Sequence, residues 1–279
     1  MNDLKKYFTE NEGRLISKWN HYFEIYDSYF SRFRGTDVHI VEFGVSHGGA
    51  LQMWKHYFGG RAKIFGIDIN PHCKELEENQ IEIFIGDQED REFLRSLKER
   101  IPKIDILLDD GGHMMNQQII TFEELFPYIS ENGVYLCEDL HTSYWSEFGG
   151  GYRKSDTFID YSKNFIDYIN AWHSRETSKF NVTEFTKSVH SLHYYDSVLV
   201  IEKRPTEKSY SLVKGIPSVP EYIPKNITEI QLQHTQNQLQ HTQNQLQHTQ
   251  STVDAMETSK FWKLRKIWMS IKNKCKSLI

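Results

Sequence analysis

Two short apolar runs, each ending in a pair of acids, constrain the fold of this chain most strongly. The runs are residues 104–108 and 133–137. The acids that follow them are Asp109, Asp110, Glu138 and Asp139. Continuous apolar runs of this length are typical of strands buried on both faces of a parallel sheet. Because ligands of an open α/β sheet bind outside the carboxyl ends of its strands, we expect these carboxylates and His113 to share one crevice.

Neighbouring carboxylates repel one another, and their pKa values rise unless a cation offsets the charge. A divalent metal is the simplest such cation, and oxygen ligands favour Mg²⁺, Mn²⁺ or Ca²⁺ over zinc. The alternative is that the acids are solvated loop residues or helix caps. Two acid pairs at strand ends, with His113 three residues after Asp110, favour the metal site.

The rest of residues 38–204 alternates short apolar strands with amphipathic helices. We predict further strands at 39–45, 62–68 and 81–85, helices at 50–58, 90–100, 117–127 and 156–172, and a hairpin over 189–194 and 197–203. This alternation predicts an α/β fold with a doubly wound, mostly parallel sheet.

The first strand runs into a glycine turn that contains Gly44 and Gly48. A strand, a glycine turn and a helix form a nucleotide-binding opening, although Ser46 breaks the dinucleotide fingerprint Gly-x-Gly-x-x-Gly. Asp68 ends the second strand, where it could accept both ribose hydroxyls of an adenosine ligand. Asp87 and Gln88 follow the third strand.

Residues 1–37 are predicted to be helical, with an aromatic stripe that faces the core more readily than a ligand. The loop after Asp139 is rich in aromatic residues and glycine, so it is either a lid over the substrate or an ordinary surface loop. Tyr144 and Trp145 in this loop are the candidate substrate contacts.

The net charge of −5 argues against general nucleic-acid binding. Residues 258–279 hold seven Lys or Arg and no acid, so residues 1–257 carry −12. Three widely spaced cysteines form neither a disulfide framework nor a zinc site, and Cys137 fits a small core residue. With no apolar signal core and no membrane-spanning run, we expect a cytoplasmic protein, with peripheral attachment to the inner face of the membrane as an option.

Beyond the main domain, residues 205–226 hold four prolines and are predicted to be a linker. Residues 227–257 repeat every seven residues with one Leu per heptad, which indicates a weak homo-oligomeric coiled coil or disorder. Residues 258–279 carry one apolar stripe edged by bases. A helix of this kind is typical of segments that lie on an anionic membrane surface. The alternative is that its apolar stripe packs against a partner helix.

The motif Glu-x-Gly-x-x-x-Gly, which starts at Glu42, resembles motif I of class I S-adenosylmethionine-dependent methyltransferases, whose seven-stranded Rossmann-like sheet also ends in a hairpin. Residues 18–204 resemble the metal-dependent sugar O-methyltransferases of macrolide and tetracenomycin biosynthesis, relatives of the cephalosporin-hydroxylase-like group. The most specific match is Asp-Asp-Gly-x-His, followed 25 residues later by Glu-Asp.

This resemblance implies S-adenosylmethionine and Mg²⁺ (or Mn²⁺) as cofactors, and a sugar or glycan as the acceptor. It assigns the metal to Asp110, Glu138 and Asp139, with His113 as the general base. The cofactor-binding residues it implies are Glu42, Gly44, Gly48, Asp68, Asp87, Gln88 and Asp109. Two alternatives stay open at this point: an inactive scaffold for membrane attachment or oligomerisation, and an iron-dependent hydroxylase.

Overall fold

The computed structural model of the chain describes residues 2–215 and 227–258. The chain divides into two compact units, Met1–Glu207 and Lys208–Ile279. Within the described residues, no helix combines the length and the apolar character that a membrane span requires.

The first unit is built on a seven-stranded sheet in the order β3-β2-β1-β4-β5-β7-β6. The strands are β1 His39–Phe43, β2 Lys63–Asp68, β3 Ile81–Ile85, β4 Ile104–Asp109, β5 Ile129–Cys137, β6 Val189–Tyr195 and β7 Val198–Lys203. The first five pair in parallel, while β7 runs antiparallel between β5 and β6. The predicted doubly wound sheet and its terminal hairpin are therefore confirmed.

Helices cover both faces of this sheet, because the strands are apolar on both sides. The helices of this unit are α1 Asp3–Glu10, α2 Tyr22–Phe30, α3 Gly49–Phe58, α4 Arg91–Arg100, α5 Met115–Leu125, α6 Phe158–Asn170 and α7 Glu184–Ser188. One apolar cluster joins the sheet to α1, α2 and α3, and a second joins it to α4, α5 and α6. Cys137 is fully buried in the second cluster, as predicted.

The prediction of continuous helix over residues 1–37 is wrong between α1 and α2, where residues 11–21 are irregular. The side chain of Asn11 accepts a hydrogen bond from the backbone N–H of Gly13 and donates one to the carbonyl of Arg14. Asparagine side chains that bond the local backbone in this way compete with the helical ladder. The aromatic stripe of α2 faces the core as predicted, while Trp19 is 53% exposed.

The heptad segment forms one helix, α8 Ile227–Thr258. Leu232, Leu239, Leu246 and Val253 are exposed by 57%, 58%, 67% and 42% along it. Its pairing with a second helix stays a prediction. Residues 216–226 of the predicted linker and residues 259–279 of the predicted basic helix lie outside the described residues.

Candidate active site

A cavity of about 450 Å³ opens at the carboxyl ends of the central parallel strands. The order of the sheet reverses between β1 and β4, and ligands of open α/β sheets bind at such a switch point. The predicted site residues that line this cavity are Gly44, Asp68, Asp87, Gln88, Asp110, His113 and Asp139. The strand alternation therefore brings together residues that are far apart in the sequence.

The glycine turn after β1 forms one wall of the cavity. Gly44 has φ +87°, and a Cβ atom there would lie 2.0 Å from the carbonyl oxygen of Asp110. Asp68 lies across the same turn, where its carboxylate accepts the backbone N–H groups of Val45 (2.9 Å) and Ser46 (3.1 Å). The close approach of these backbones explains why the turn needs glycine.

Asp87 and Gln88 play different structural parts after β3. Asp87 is exposed at the cavity and accepts the backbone N–H of Glu89 at 2.9 Å. The buried amide of Gln88 donates to Oδ1 of Asp109 at 2.7 Å and accepts the backbone N–H of Gly112 at 3.2 Å. It therefore braces the loop that leads from β4 to His113.

Asp109 is fully buried, and its burial raises the pKa of the carboxyl to about 6. Its Oδ2 atom has no hydrogen-bond partner among the described residues. Asp109 lies beneath the loop and does not line the cavity. Asp109 therefore does not lie where a cofactor in this cavity could contact it, contrary to the prediction.

Three donor groups converge at the cavity: the carboxylates of Asp110 and Asp139 and the imidazole of His113. The His113 Nε2 atom lies 3.4 Å from Oδ2 of Asp139 and 3.9 Å from Oδ1 of Asp110. One ligand atom from each residue lies within 4.8 Å of the others, which is a spacing that can hold a metal ion. Both His113 (φ +58°) and Asp139 (φ +54°) have left-handed backbones, a strain that is concentrated at functional sites.

Glu138 turns away from this group and is buried beside Lys18 and Tyr26. The Lys18 ammonium lies 3.1 Å from Oε2 of Glu138, and the Tyr26 hydroxyl donates to Oε1 of the same carboxylate. Burial, reinforced by the charge of Asp110, raises the pKa of Glu138 well above its usual range. Glu138 thus belongs to an inner layer of the acid cluster, behind the three converging donors.

Lys18 is the functional-site residue that the sequence reasoning missed. Burial lowers the pKa of its ammonium, but Asp110, Glu138 and Glu42 outweigh burial, so the pKa is raised well above its usual range. Its hydrogen-bond partners lie 24 to 120 residues away in the sequence. No local pattern in the sequence marks such a contact, and the only local signal is its position just before the aromatic stripe.

Glu42 also belongs to the inner layer and not to the cavity wall. Its carboxylate accepts the indole N–H of Trp54 at 2.9 Å and lies 3.4 Å from the Lys18 ammonium. Burial raises the pKa of Glu42 to about 7. Its side chain is therefore positioned against Lys18 and Trp54 and does not line the cavity.

Comparison with known proteins shows which proteins this chain resembles. No protein-family model matches the chain. Over 199 residues it is 34% identical to the 8-demethyl-8-alpha-L-rhamnosyl tetracenomycin-C 2'-O-methyltransferase of Streptomyces olivaceus, covering 67% of this chain and 52% of that protein. Over 238 residues it is 31% identical to the mycinamicin VI 2''-O-methyltransferase of Micromonospora griseorubida, covering 81% of this chain and 55% of that protein.

A solved structure of the MycE methyltransferase in complex with Mg, SAH and mycinamycin VI has a TM-score of 0.66 with this chain. The two are 29% identical, over 84% of this chain and 58% of that one. The chain has the fold of the class I methyltransferases. It spans about half the length of the curated relatives that it matches.

A second cavity, of about 420 Å³, adjoins the acid cluster, and neither of the predicted substrate contacts, Tyr144 and Trp145, lines it. Lys18, Trp19, Tyr22, Asp110, Glu138 and Asp139 are among the residues that line it. Tyr144 and Trp145 are 51% and 45% exposed. His141 packs against both tryptophans, with ring centroids 5.6 Å from Trp19 and 4.5 Å from Trp145. These rings form an aromatic surface next to the acid cluster.

The glycine turn after β1 allows a direct test. We expect Gly44→Ala to destabilise the fold by about 3 kcal/mol or more, because the new Cβ meets a backbone carbonyl in a left-handed conformation. Gly60→Ala is the matched control, since no atom lies within 4 Å of its Cβ position. Urea denaturation of both variants measures the difference, and equal free energies of unfolding would contradict the close approach.

Proposed function

We propose that this chain transfers a methyl group from S-adenosylmethionine to a sugar hydroxyl, in a reaction that depends on Mg²⁺ or Mn²⁺ and uses His113 as general base. One observation carries the proposal. Asp110, His113 and Asp139 converge at a cavity at the switch point of a class I methyltransferase sheet. The relatives are named as sugar O-methyltransferases, which supports the same reaction class.

The cavity fits an adenosyl cofactor in size and in chemistry. Small-molecule pockets usually measure a few hundred Å³, and this one is about 450 Å³. Asp68 lies on its wall, and a carboxylate has lone pairs to spare for ribose hydroxyls beyond the backbone N–H groups that it already accepts. Gly44 lets the backbone come close to the methionine end of the ligand. S-adenosylmethionine would supply the electrophilic methyl group.

The outer donor set fits a hard divalent cation. Asp110 and Asp139 offer carboxylate oxygens that lie near each other at the junction of the two cavities. A divalent cation bound there would polarise an acceptor hydroxyl and lower its pKa. The Tyr22 hydroxyl donates to Oδ1 of Asp139 at 2.7 Å, which fixes the carboxylate and leaves Oδ2 facing His113.

The surroundings of His113 support its proposed role as the base. Its backbone carbonyl accepts the Thr142 hydroxyl at 3.2 Å, which ties the loop of the base to the segment after Asp139. The Nε2 atom faces Asp139, and the side chain retains 19% exposure at the cavity. Asp139 stabilises the imidazolium that forms when Nε2 accepts the proton of the hydroxyl.

The aromatic surface supports a sugar as the acceptor. Trp19 and Trp145 expose large apolar faces beside the acid cluster, and such faces can pack against the C–H groups of a pyranose ring. The acidic groups of the adjoining cavity are suited to the hydroxyls of the same ring. We therefore propose a glycosylated metabolite or a glycan as the acceptor class.

Calorimetric titration of the full chain with S-adenosylmethionine, with and without MgCl₂, tests the proposal. We expect micromolar-range binding of the cofactor, and transfer of the methyl group to mycinamicin VI, the acceptor in the name of one relative, or to another glycoside. Absence of cofactor binding would favour the scaffold or hydroxylase alternatives. Cofactor binding with methyl transfer that survives EDTA would remove the metal from the mechanism.

A further inference from the structure

Lys18 carries a positive charge into the acid cluster from a segment outside the sheet. Its side chain is only 2% exposed. Its ammonium lies 2.5 Å from Oδ2 of Asp110, 3.1 Å from Oε2 of Glu138 and 3.4 Å from Oε1 of Glu42. A buried charge is tolerated only when such partners offset its loss of hydration. In this arrangement, the chain itself supplies a cation to the carboxylates at the strand ends.

The carboxylate of Asp110 is shared between two cation positions. Its Oδ2 atom contacts Lys18, while Oδ1 lies 3.9 Å from the His113 imidazole in the outer donor set. Glu138 is engaged by Lys18 and Tyr26 at the same time. A divalent cation that drew on both carboxylates would lie only a few Å from the ammonium, and like charges at that distance repel strongly in a buried site.

We propose that the Lys18 ammonium and a divalent cation are alternative partners of the Asp110 and Glu138 carboxylates: a cation bound between Asp110 and Asp139 would displace Lys18 and take Glu138 as a further ligand. This inference rests on the proposed function for the presence of a divalent metal. Lys18 is a positioning residue, because it acts through the two carboxylates. When no metal is bound, the positive charge of Lys18 offsets the negative charges of the buried carboxylates.

The displacement of Lys18 has a structural consequence for the acceptor side. Lys18 lies in the irregular segment 11–21, and its neighbours Ser17, Trp19 and Asn20 line the 420 Å³ cavity. Release of the ammonium would remove the ion pairs that tie this segment to the strand ends. Metal occupancy and the shape of the acceptor cavity are therefore coupled.

The first test compares Mn²⁺ binding by the wild type and by Lys18→Met, using titration calorimetry and electron paramagnetic resonance. Methionine matches the unbranched lysine side chain out to Cε and lacks the charged Nζ. We expect the Kd for Mn²⁺ to fall roughly tenfold or more, because the competing charge is gone. Lys55→Met is the matched control, since Lys55 pairs with Glu78 and not with these acids.

The possible results distinguish this inference from the function on which it rests. A wild type that binds no Mn²⁺ contradicts the metal in the proposed function. A wild type that binds Mn²⁺, with equal or weaker binding by a folded Lys18→Met variant, overturns the competition while leaving the proposed function intact. Circular dichroism and thermal unfolding establish that the variant is folded.

A second test uses the unmodified protein and does not depend on the folding of a variant. The wild type is treated with an amine-acetylating reagent, with and without saturating MnCl₂, and labelling at each lysine is quantified by mass spectrometry. We expect Mn²⁺ to raise labelling of Lys18 several-fold while labelling of Lys55 stays constant. Unchanged labelling of Lys18 at metal saturation would overturn the displacement.

Discussion

His113→Gln is expected to lower kcat by about 10²–10⁴-fold, the usual contribution of a positioned general base. Glutamine retains hydrogen-bonding groups near Asp139 but cannot take up the proton of the acceptor hydroxyl at neutral pH. Since the side chain lies on the cavity wall and not in the core, we expect the fold and the affinity for S-adenosylmethionine to be kept. Initial rates of S-adenosylhomocysteine formation, with an acceptor that the wild type methylates, measure the loss.

The control for this experiment is His72→Gln, because the side chain of His72 is 83% exposed and does not line the cavity. We expect wild-type turnover in that variant. If His113→Gln also turns over at the wild-type rate, His113 is not the base. A fall in cofactor affinity without a fall in kcat would assign His113 to binding instead.

Asp139→Asn is expected to lower kcat/KM by about a thousandfold, because the carboxylate serves both the metal and the imidazole of His113. The amide keeps the shape of the side chain and an acceptor for the Tyr22 hydroxyl, but it loses the charge that holds a divalent cation. Removal of metal from the wild type with EDTA should cause a loss of similar size. Mn²⁺ titration and steady-state rates, measured on the same preparations, test both expectations.

Asp160→Asn provides the matched control, since Asp160 is a half-exposed acid on α6 that pairs with Lys163. We expect it to bind Mn²⁺ and to turn over as the wild type does. Activity that withstands both EDTA and Asp139→Asn would exclude the metal-dependent mechanism. If Asp139→Asn removes metal binding while activity persists, the divalent ion has a structural role only.

The fold could be predicted from the sequence because its signals are local. The predicted runs that lead to Asp68, Asp109 and Glu138 end within one residue of the observed ends of β2, β4 and β5, although β5 begins four residues earlier than predicted. The hairpin of β6 and β7 was predicted from two strand segments separated by a tight turn at Tyr195 and Asp196. In contrast, the break between α1 and α2 depends on the hydrogen bonds that the Asn11 side chain makes with the local backbone. These bonds compete with helical hydrogen bonds, but they do not change the helical spacing of the aromatic residues, so the sequence pattern did not reveal the break.

By itself, the sequence determined that acids and an imidazole would gather at one edge of a parallel sheet, since strand ends that follow one another in a doubly wound fold share that edge. It did not determine which acids face His113 and which lie buried against Lys18. Glu138 and Asp139 are adjacent in the chain, yet one pairs with the buried Lys18 and the other faces His113. Tertiary structure alone made this division, because the deciding partners, Lys18 and Tyr22, come from over a hundred residues away and reach the site only when the N-terminal segment packs against the finished sheet.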